Sequence, residues 1–346
     1  MRASDPVTRP HAPGRSLAIS ILAVAVSATA CGGQVARPSA SVGATSGPAL
    51  SPTTAAKPSP TVAPPTLPGG RLVYARYVDD RGSIFTINLD GSDMKPLVLP
   101  AGVAPRWSPD GRHISLAQNS PDQPEGHLSV GMVDPDGHDY VQFDDPDATL
   151  ELAGAAWSPD GTRLAVEGWD ATDVTRNGIY TVRASDGGDP VRVTSCPQGC
   201  HDIPGDYSPD GRQIVFSRER LPDQADTSLM VVNVDGSHVR PITDQKVGLG
   251  ARWSPDGKTI LATIGEDRNG SLLLVPIDGG AATKFEIASD PTLKPFAGSW
   301  SPDGEWIVFS ARNDTSVDLY IVRTDGTELH QVTNTPRNYE DGADWR

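Results

Sequence analysis

The five-residue string Trp-Ser-Pro-Asp-Gly recurs along this chain at nearly constant spacing. It starts at Trp107, Trp157, Trp253 and Trp300, a tyrosine version starts at Tyr207, and a last anchor, Trp345, lies one residue before the end. Six aromatic anchors separated by 45 to 50 residues indicate a repeat architecture, in which each repeat is one supersecondary unit packed on its neighbours.

Each repeat has the same internal order of strands and turns. A short alternating strand follows the glycine, for example at Ile114 and Leu116, and a variable polar loop follows that strand. A second apolar strand, such as 319–322, leads to an Asp-Gly turn, as at Asp325-Gly326. A closing strand completes the repeat and often ends in Val-Thr or Ile-Thr, as at Val193-Thr194. With the segment that leads into the aromatic residue, this makes four strands in each repeat.

The two recurring turns have structural explanations. Proline fits the second position of a type I turn, aspartate the third, and glycine the left-handed position after it. Asp-Gly between two strands is a strong hairpin signal. A calcium loop at 134–139 is an alternative interpretation, but the spacing of an EF-hand loop is missing there.

Four-stranded units repeated at this period predict an all-β fold, a six-bladed β-propeller of antiparallel blades. The strand that starts at Arg71 matches the strand after the motif's glycine, yet no motif precedes it. We therefore expect the C-terminal segment 342–345 to supply the innermost strand of the first blade. This closure would cover exposed strand edges.

These motifs resemble the PD40 (WD40-like) repeats of the TolB propeller, and the resemblance covers residues 71–346. Related repeats occur in propellers of prolyl oligopeptidase-like and dipeptidyl-peptidase IV-like proteins. The resemblance implies a six-bladed fold, but a fold of this kind supports many functions. TolB carries an α/β domain ahead of its propeller, and a different kind of segment stands in that place here.

Residues 1–30 have the pattern of a signal peptide of the lipoprotein type. Arginines at the start precede an uncharged apolar run, which ends in Ala28-Thr29-Ala30-Cys31. Small residues before a cysteine resemble a bacterial lipobox, although leucine is usual where Ala28 stands. We expect lipidation of Cys31; ordinary cleavage without a lipid is the alternative. The predicted location is the extracytoplasmic side of the cell membrane.

Residues 31–70 hold the anchor cysteine and a segment rich in Pro, Ser, Thr and Ala. Such a composition cannot bury enough apolar surface to offset chain entropy, so it predicts a disordered tether. The predicted propeller, 71–346, holds 24 Lys and Arg against 43 Asp and Glu. This acidity argues against a nucleic-acid partner, which would require a basic surface.

No catalytic motif is found in the sequence. A peptidase would need a Gly-x-Ser-x-Gly elbow, which is missing, and the repeats account for all of the chain after residue 70. Cys196 and Cys200 precede His201 and Asp202. A short disulfide is the leading interpretation in an exported protein, with a zinc site or free thiols as alternatives. We predict no metal and no cofactor.

The variable loops and the crossovers between blades should share one face of the propeller, opposite both recurring turns. Their acidic residues are a candidate binding face, although for most of them individually simple solvation is the better explanation. The candidates are Asp79, Asp80, Asp144, Asp145, Asp170, Asp173, Glu219, Glu266, Asp267 and Asp314.

The residue before each aromatic anchor forms a second pattern. Closure of the ring would make Asp344 a neighbour of Arg106, and Asp206 a neighbour of Arg252. We predict two ion pairs between blades near the central channel, with a structural role favoured over ligand binding.

The leading functional hypothesis is a non-enzymatic, lipid-anchored binding or scaffold protein. Its propeller, expected to be monomeric, would dock a protein, peptide or cell-envelope ligand on the variable-loop face. The alternatives are a metal-dependent hydrolase or lactonase with a divalent ion in the channel, and a purely structural spacer.

Overall fold

The structure, a computed structural model, describes the part of the chain that carries the repeats. Its described residues are 67–78, 81–97, 101–119, 128–143, 150–170, 172–196, 200–220, 227–265, 270–313 and 315–346. The predicted signal peptide, the anchor Cys31 and almost all of the tether lie outside these ranges. So do seven predicted binding-face residues: Asp79, Asp80, Asp144, Asp145, Glu266, Asp267 and Asp314.

Four sheets of four antiparallel strands each form separate blades, with the strands of each blade in chain order. The first holds β4 (Gly102–Trp107), β5 (Ile114–Asn119), β6 (Leu128–Val133) and β7 (Val141–Phe143). The second holds β8 (Glu151–Trp157), β9 (Arg163–Trp169), β10 (Gly178–Arg183) and β11 (Val191–Arg192). The third holds β12 (Cys200–Tyr207), β13 (Gln213–Arg220), β14 (Thr227–Asn233) and β15 (Arg240–Lys246). The fourth holds β16 (Arg252–Trp253), β17 (Thr259–Ile264), β18 (Ser271–Pro276) and β19 (Thr283–Lys284).

The other eight strands form one sheet built from both ends of the described chain. Its strands are β1 (Arg71–Val78), β2 (Arg81–Asn88), β3 (Lys95–Pro96), β20 (Pro295–Trp300), β21 (Trp306–Arg312), β22 (Val317–Arg323), β23 (His330–Gln331) and β24 (Tyr339–Trp345). The C-terminal β24 pairs with β1, with Trp345 opposite Leu72. One parallel residue pair, Val317 with Tyr339, joins the two halves of this sheet. The predicted propeller with four-stranded antiparallel blades is therefore confirmed, whereas the count of six depends on how this sheet is divided.

The Ser-Pro-Asp-Gly turn has a fixed set of hydrogen bonds that explains its recurrence. Ser108 Oγ donates to Asp110 Oδ1 at 2.7 Å and accepts the backbone N–H of His113 at 2.9 Å. Gly111 closes the turn with its N–H on the Ser108 carbonyl and has φ of 70°. The same serine-to-aspartate bond recurs in the other four copies, at 2.6–2.7 Å. The serine, the aspartate and the glycine of the motif thus each have a role in the turn itself.

The aromatic anchors fill the space between successive blades. Trp157 packs with Val130 and Met132 of the preceding blade, and Trp253 packs with Val215 and Leu229 in the same way. Five of the six anchors are between 5% and 8% exposed, and Trp300 is half-buried. A large side chain at this position therefore joins each blade to its neighbour, which is why the period of the motif equals one blade.

The described part of the chain contains no α-helix; a 3₁₀ turn, Val174–Arg176, follows β9. No helix among the described residues is long and apolar enough to cross a bilayer.

Candidate functional site

The innermost strands carry a bulge that the sequence analysis missed. Three residues before the aromatic anchor, the backbone has positive φ in five repeats, at Ala104, Gly154, Gly250, Ala297 and Gly342. The strand register shifts next to four of these positions, and also before the tyrosine of the remaining repeat. A bulge bends a strand and redirects the side chains that follow it. The recurring small residue at this position was the available signal in the sequence.

The bulges bring the six residues that precede the aromatic anchors to one end of a central channel. The innermost strands contact one another in a closed cycle, in the order β24, β4, β8, β12, β16, β20. All six positions line one cavity of about 230 Å³, together with serines and prolines of the Ser-Pro-Asp-Gly turns. In ring order these are Asp344, Arg106, Ala156, Asp206, Arg252 and Ser299. The order Asp-Arg-small residue thus occurs twice around the channel.

The two aspartates join adjacent innermost strands through the backbone. Asp344 Oδ2 accepts the N–H of Trp107 at 2.8 Å, and its Oδ1 accepts the hydroxyl of Ser299 at 3.2 Å. Asp206 Oδ2 accepts the N–H of Trp253 at 3.1 Å, and its Oδ1 accepts the N–H of Tyr207 at 2.9 Å. Each aspartate therefore binds the residue that follows the arginine predicted as its partner.

The arginines differ from the simple ion pairs expected. Arg106 Nη1 lies 3.9 Å from Asp344 Oδ1, while its Nη2 donates to the carbonyl of Gly205 at 3.0 Å. Among the described residues no salt bridge joins Arg252 to Asp206. Arg252 Nη1 instead donates to the carbonyls of Gly250 and Ala251, at 3.0 and 3.3 Å. The Arg106–Asp344 pair is thus a long salt bridge, while Arg252 and Asp206 interact only through their charges at greater distance.

Burial dominates the electrostatics of this group. It raises the pKa of the Asp206 carboxyl above its ordinary value, and the charges of Arg106 and Arg252 offset part of that rise. It lowers the pKa of Arg252 to about 9, with a further lowering from Arg106 and partial compensation by Asp344 and Asp206. The four charges therefore interact as one cluster, not as two separate pairs.

Two buried carboxylates lie toward the opposite end of the channel, where the variable loops begin. They occupy equivalent positions in their repeats, five residues before the aromatic anchor. Asp202 in β12 binds Arg218 in β13 through two bonds of 2.6 and 2.7 Å and accepts the hydroxyl of Thr194. Glu340 in β24 binds Arg76 in β1.

Threonine side chains link each of these carboxylates to the preceding blade. The hydroxyl of Thr333 donates to Glu340, and that of Thr194 donates to Asp202 at 2.6 Å. The Val-Thr that ends two repeats in the sequence therefore forms part of a link between blades.

A histidine lies beside this link. His201 Nδ1 is 2.8 Å from Glu167 Oε1, and its ring stacks on Trp169 with centroids 4.0 Å apart. Glu219, opposite His201 across the β12–β13 pair, is half-buried. Burial raises the pKa of Glu219, and the charge on Glu167 raises it further, while His201 opposes the rise.

Cys196 and Cys200 form a disulfide that closes the segment before β12, with Cα atoms 5.6 Å apart. Within the described ranges, no group of three or more His, Cys, Asp or Glu side chains is arranged to hold a metal ion.

Three predicted binding-face residues lie within the described chain, and they differ in exposure. Asp173 is exposed and caps the 3₁₀ turn by accepting the N–H of Thr175. Asp170 is 1% exposed, and its carboxylate is bonded to Arg176 and Thr172. It therefore fixes its own loop, which differs from the partner-facing role expected from sequence.

The profile of the PD40 family, described as the TolB β-propeller domain, matches residues 53–288 and, in an overlapping match, 103–343. The chain belongs to this TolB β-propeller family. No curated protein matches the sequence.

Solved structures with a similar fold include two TolB proteins. TolB from Acinetobacter baumannii matches with a TM-score of 0.60 and 19% identity, over 80% of this chain and 66% of that protein. A protein assigned as TolB in Agrobacterium tumefaciens matches with a TM-score of 0.57 and 18% identity, over 80% and 99% of the two chains.

An enzyme also shares the fold. An oligogalacturonate lyase from Vibrio parahaemolyticus matches with a TM-score of 0.51 and 17% identity, over 75% of this chain and 73% of that one. Identities this low show a common fold alone.

Proposed function

We propose that this TolB-family propeller is a protein-binding module, tethered outside the cytoplasm by a lipid on Cys31. The family match supports the binding role, and the signal-like segment with its Pro-rich continuation supports the location. Replacement by Cys31→Ser should move the protein from the membrane fraction to the soluble extracytoplasmic fraction. An unchanged membrane fraction would contradict the lipid anchor.

We divide the eight-stranded sheet into two blades, which gives six in total. Its halves, β20–β23 and β24 with β1–β3, each have the strand order of the separate blades. The single parallel pair between them is much smaller than the ladders within each half. The C-terminal strand then closes the first blade and the ring.

The partner should dock on the variable-loop face. The observation that supports this is a set of ion pairs with buried carboxylates near the loop-bearing ends of the strands, Arg76–Glu340, Arg218–Asp202 and Arg176–Asp170. They fix the positions from which the acidic loops start. Loops on a rigid support bind with a smaller entropic cost than loops on a mobile one. The acidic loops favour a partner with a basic surface.

A pull-down with the full-length chain tests this face. In one variant the loop acids Asp79, Asp80, Asp144 and Asp145 become Asn; in the control, the turn acids Asp235, Asp278 and Asp325 of the opposite face become Asn. We expect the partner to be lost from the first variant and retained by the control. Retention by both, or loss only from the control, would contradict docking on the variable-loop face.

A further inference from the structure

The cavity at the turn end of the channel presents hydrogen-bond donors without matching acceptors. Both carboxylate oxygens of Asp344 and both of Asp206 already accept a hydrogen bond from the protein. The carboxylate oxygens that line the cavity are therefore already hydrogen-bonded, while some guanidinium N–H groups of the described residues are not.

Three arginines line the cavity, and one of them, Arg346, donates to the carbonyl of Pro109. Arg106 and Arg252 supply the remaining donors. Arg252 is 7% exposed, lines the cavity, and has an Nε without a hydrogen-bond partner among the described residues. Arg106 Nη1 lies 3.9 Å from Asp344, which is too long for a hydrogen bond. A buried guanidinium donor without a partner is energetically unfavourable. Because the Nε of Arg252 is itself almost inaccessible, an acceptor in the cavity would bond the outer nitrogens of the Arg106 and Arg252 guanidinium groups that line it.

The charges in the cavity favour an anion over a neutral acceptor. Arg106 and Arg252 line the same cavity; burial lowers the pKa of Arg252, and the charge of Arg106 lowers it further. Asp344 and Asp206 offset only part of this lowering, and their oxygens are already hydrogen-bonded to backbone N–H groups of neighbouring strands. A negative group between the guanidiniums would reduce their repulsion.

We propose that this end of the channel binds a single carboxylate group, held by Arg252 and Arg106. Guanidinium groups bind carboxylates through short, charge-assisted hydrogen bonds, often two at once. The volume of about 230 Å³ is below the range of typical drug-sized pockets, roughly 300–1,000 Å³, and suits one acidic side chain or a small organic acid. The site lies at the end opposite the variable loops, so it does not depend on the proposed docking face.

Calorimetric titration of the full-length protein tests the site with two probes. Succinate represents a free organic acid, and N-acetyl-glycyl-aspartyl-glycinamide represents an acidic peptide; succinamide and the Asn version of the peptide are the matched neutral controls. We expect saturable binding of at least one acid and at least tenfold weaker binding of its amide. Which acid binds distinguishes a small-molecule source from a peptide source.

Variants assign the binding to the proposed residues. Arg252→Gln should weaken binding at least tenfold, whereas Arg212→Gln should leave it unchanged, because Arg212 is an exposed arginine on a neighbouring turn. Circular dichroism verifies folding; if Arg252→Gln does not fold, Arg106→Gln takes its place. The proposal is overturned if neither acid binds, if the amides bind equally well, or if a folded arginine variant binds like the wild type.

Discussion

Glu340→Gln should be strongly destabilising, because the side chain joins the two ends of the described chain. Its carboxylate is completely buried and binds Arg76 Nε at 2.8 Å and Nη2 at 2.7 Å. It also accepts hydroxyl groups from Thr333 and Thr335. The variant keeps one acceptor oxygen but leaves the Arg76 charge buried without its counter-charge.

The expected loss can be estimated from comparable sites. Removing one partner of a buried ion pair costs about 3–5 kcal/mol. For a domain of this size each kcal/mol lowers Tm by about 2 °C, so we expect a decrease of about 6–10 °C. The control is Glu328→Gln, which removes a partner from the exposed pair with Arg323 and should cost less than about 1 kcal/mol.

Urea denaturation of the two variants, the wild type and the double variant Arg76→Met/Glu340→Gln completes the test. The double variant should recover much of the loss, because it removes the uncompensated charge. The Arg76 side chain already lies over the Phe85 ring, 4.4 Å from its centroid, so methionine has an apolar surface to contact. A Glu340→Gln variant within 1 kcal/mol of the wild type would refute the assigned role of this pair.

Three further predictions concern the bulge, the turn and the disulfide. Ala297 has φ of 48°, so Ala297→Val should destabilise the protein by about 1–2 kcal/mol in thermal denaturation. Ala297→Gly should be neutral or stabilising. Equal effects of the two substitutions would exclude backbone strain at this bulge. Hydrogen bonds from Ser301 and the backbone lower the pKa of Asp303, so its stabilisation is present above the ordinary carboxyl range and is lost as pH falls through the lowered pKa. Asp303→Asn should therefore narrow the difference in Tm between pH 7 and pH 3; an unchanged difference would contradict this. The Cys196–Cys200 disulfide closes a loop of only a few residues, so its reduction should lower the free energy of unfolding by about 2 kcal/mol in urea denaturation. Complete unfolding on reduction would show a larger role for the disulfide.

The repeat pattern predicts the blades because the serine, the aspartate and the glycine of the motif each have a role in a local turn. One turn fixes the positions of Ser108, Asp110 and Gly111. The spacing of these residues in the sequence therefore marks the start of the second strand of a blade. The closing strand was also predictable, because Trp345 continues the period of the aromatic anchors, and it lies opposite Leu72 in β1.

The site was only partly predictable from sequence. All six residues before the aromatic anchors line one cavity, as their position suggested. Their partners were not predictable, since each aspartate follows a strand irregularity, at Gly342 or after Pro204, and accepts a backbone N–H of the neighbouring strand. Likewise, Asp170 belongs to an acidic loop by sequence, but its burial depends on Arg176 and the local turn.

Site-specific photo-crosslinking in cells tests the docking claim most directly. A photoreactive residue is placed at Val174, which is 40% exposed in the loop after β9, or at Arg212 on the opposite face. Docking on the variable-loop face predicts a discrete crosslinked partner from position 174 and none from position 212. A partner captured from position 212 alone, or no specific partner from either position, would contradict it.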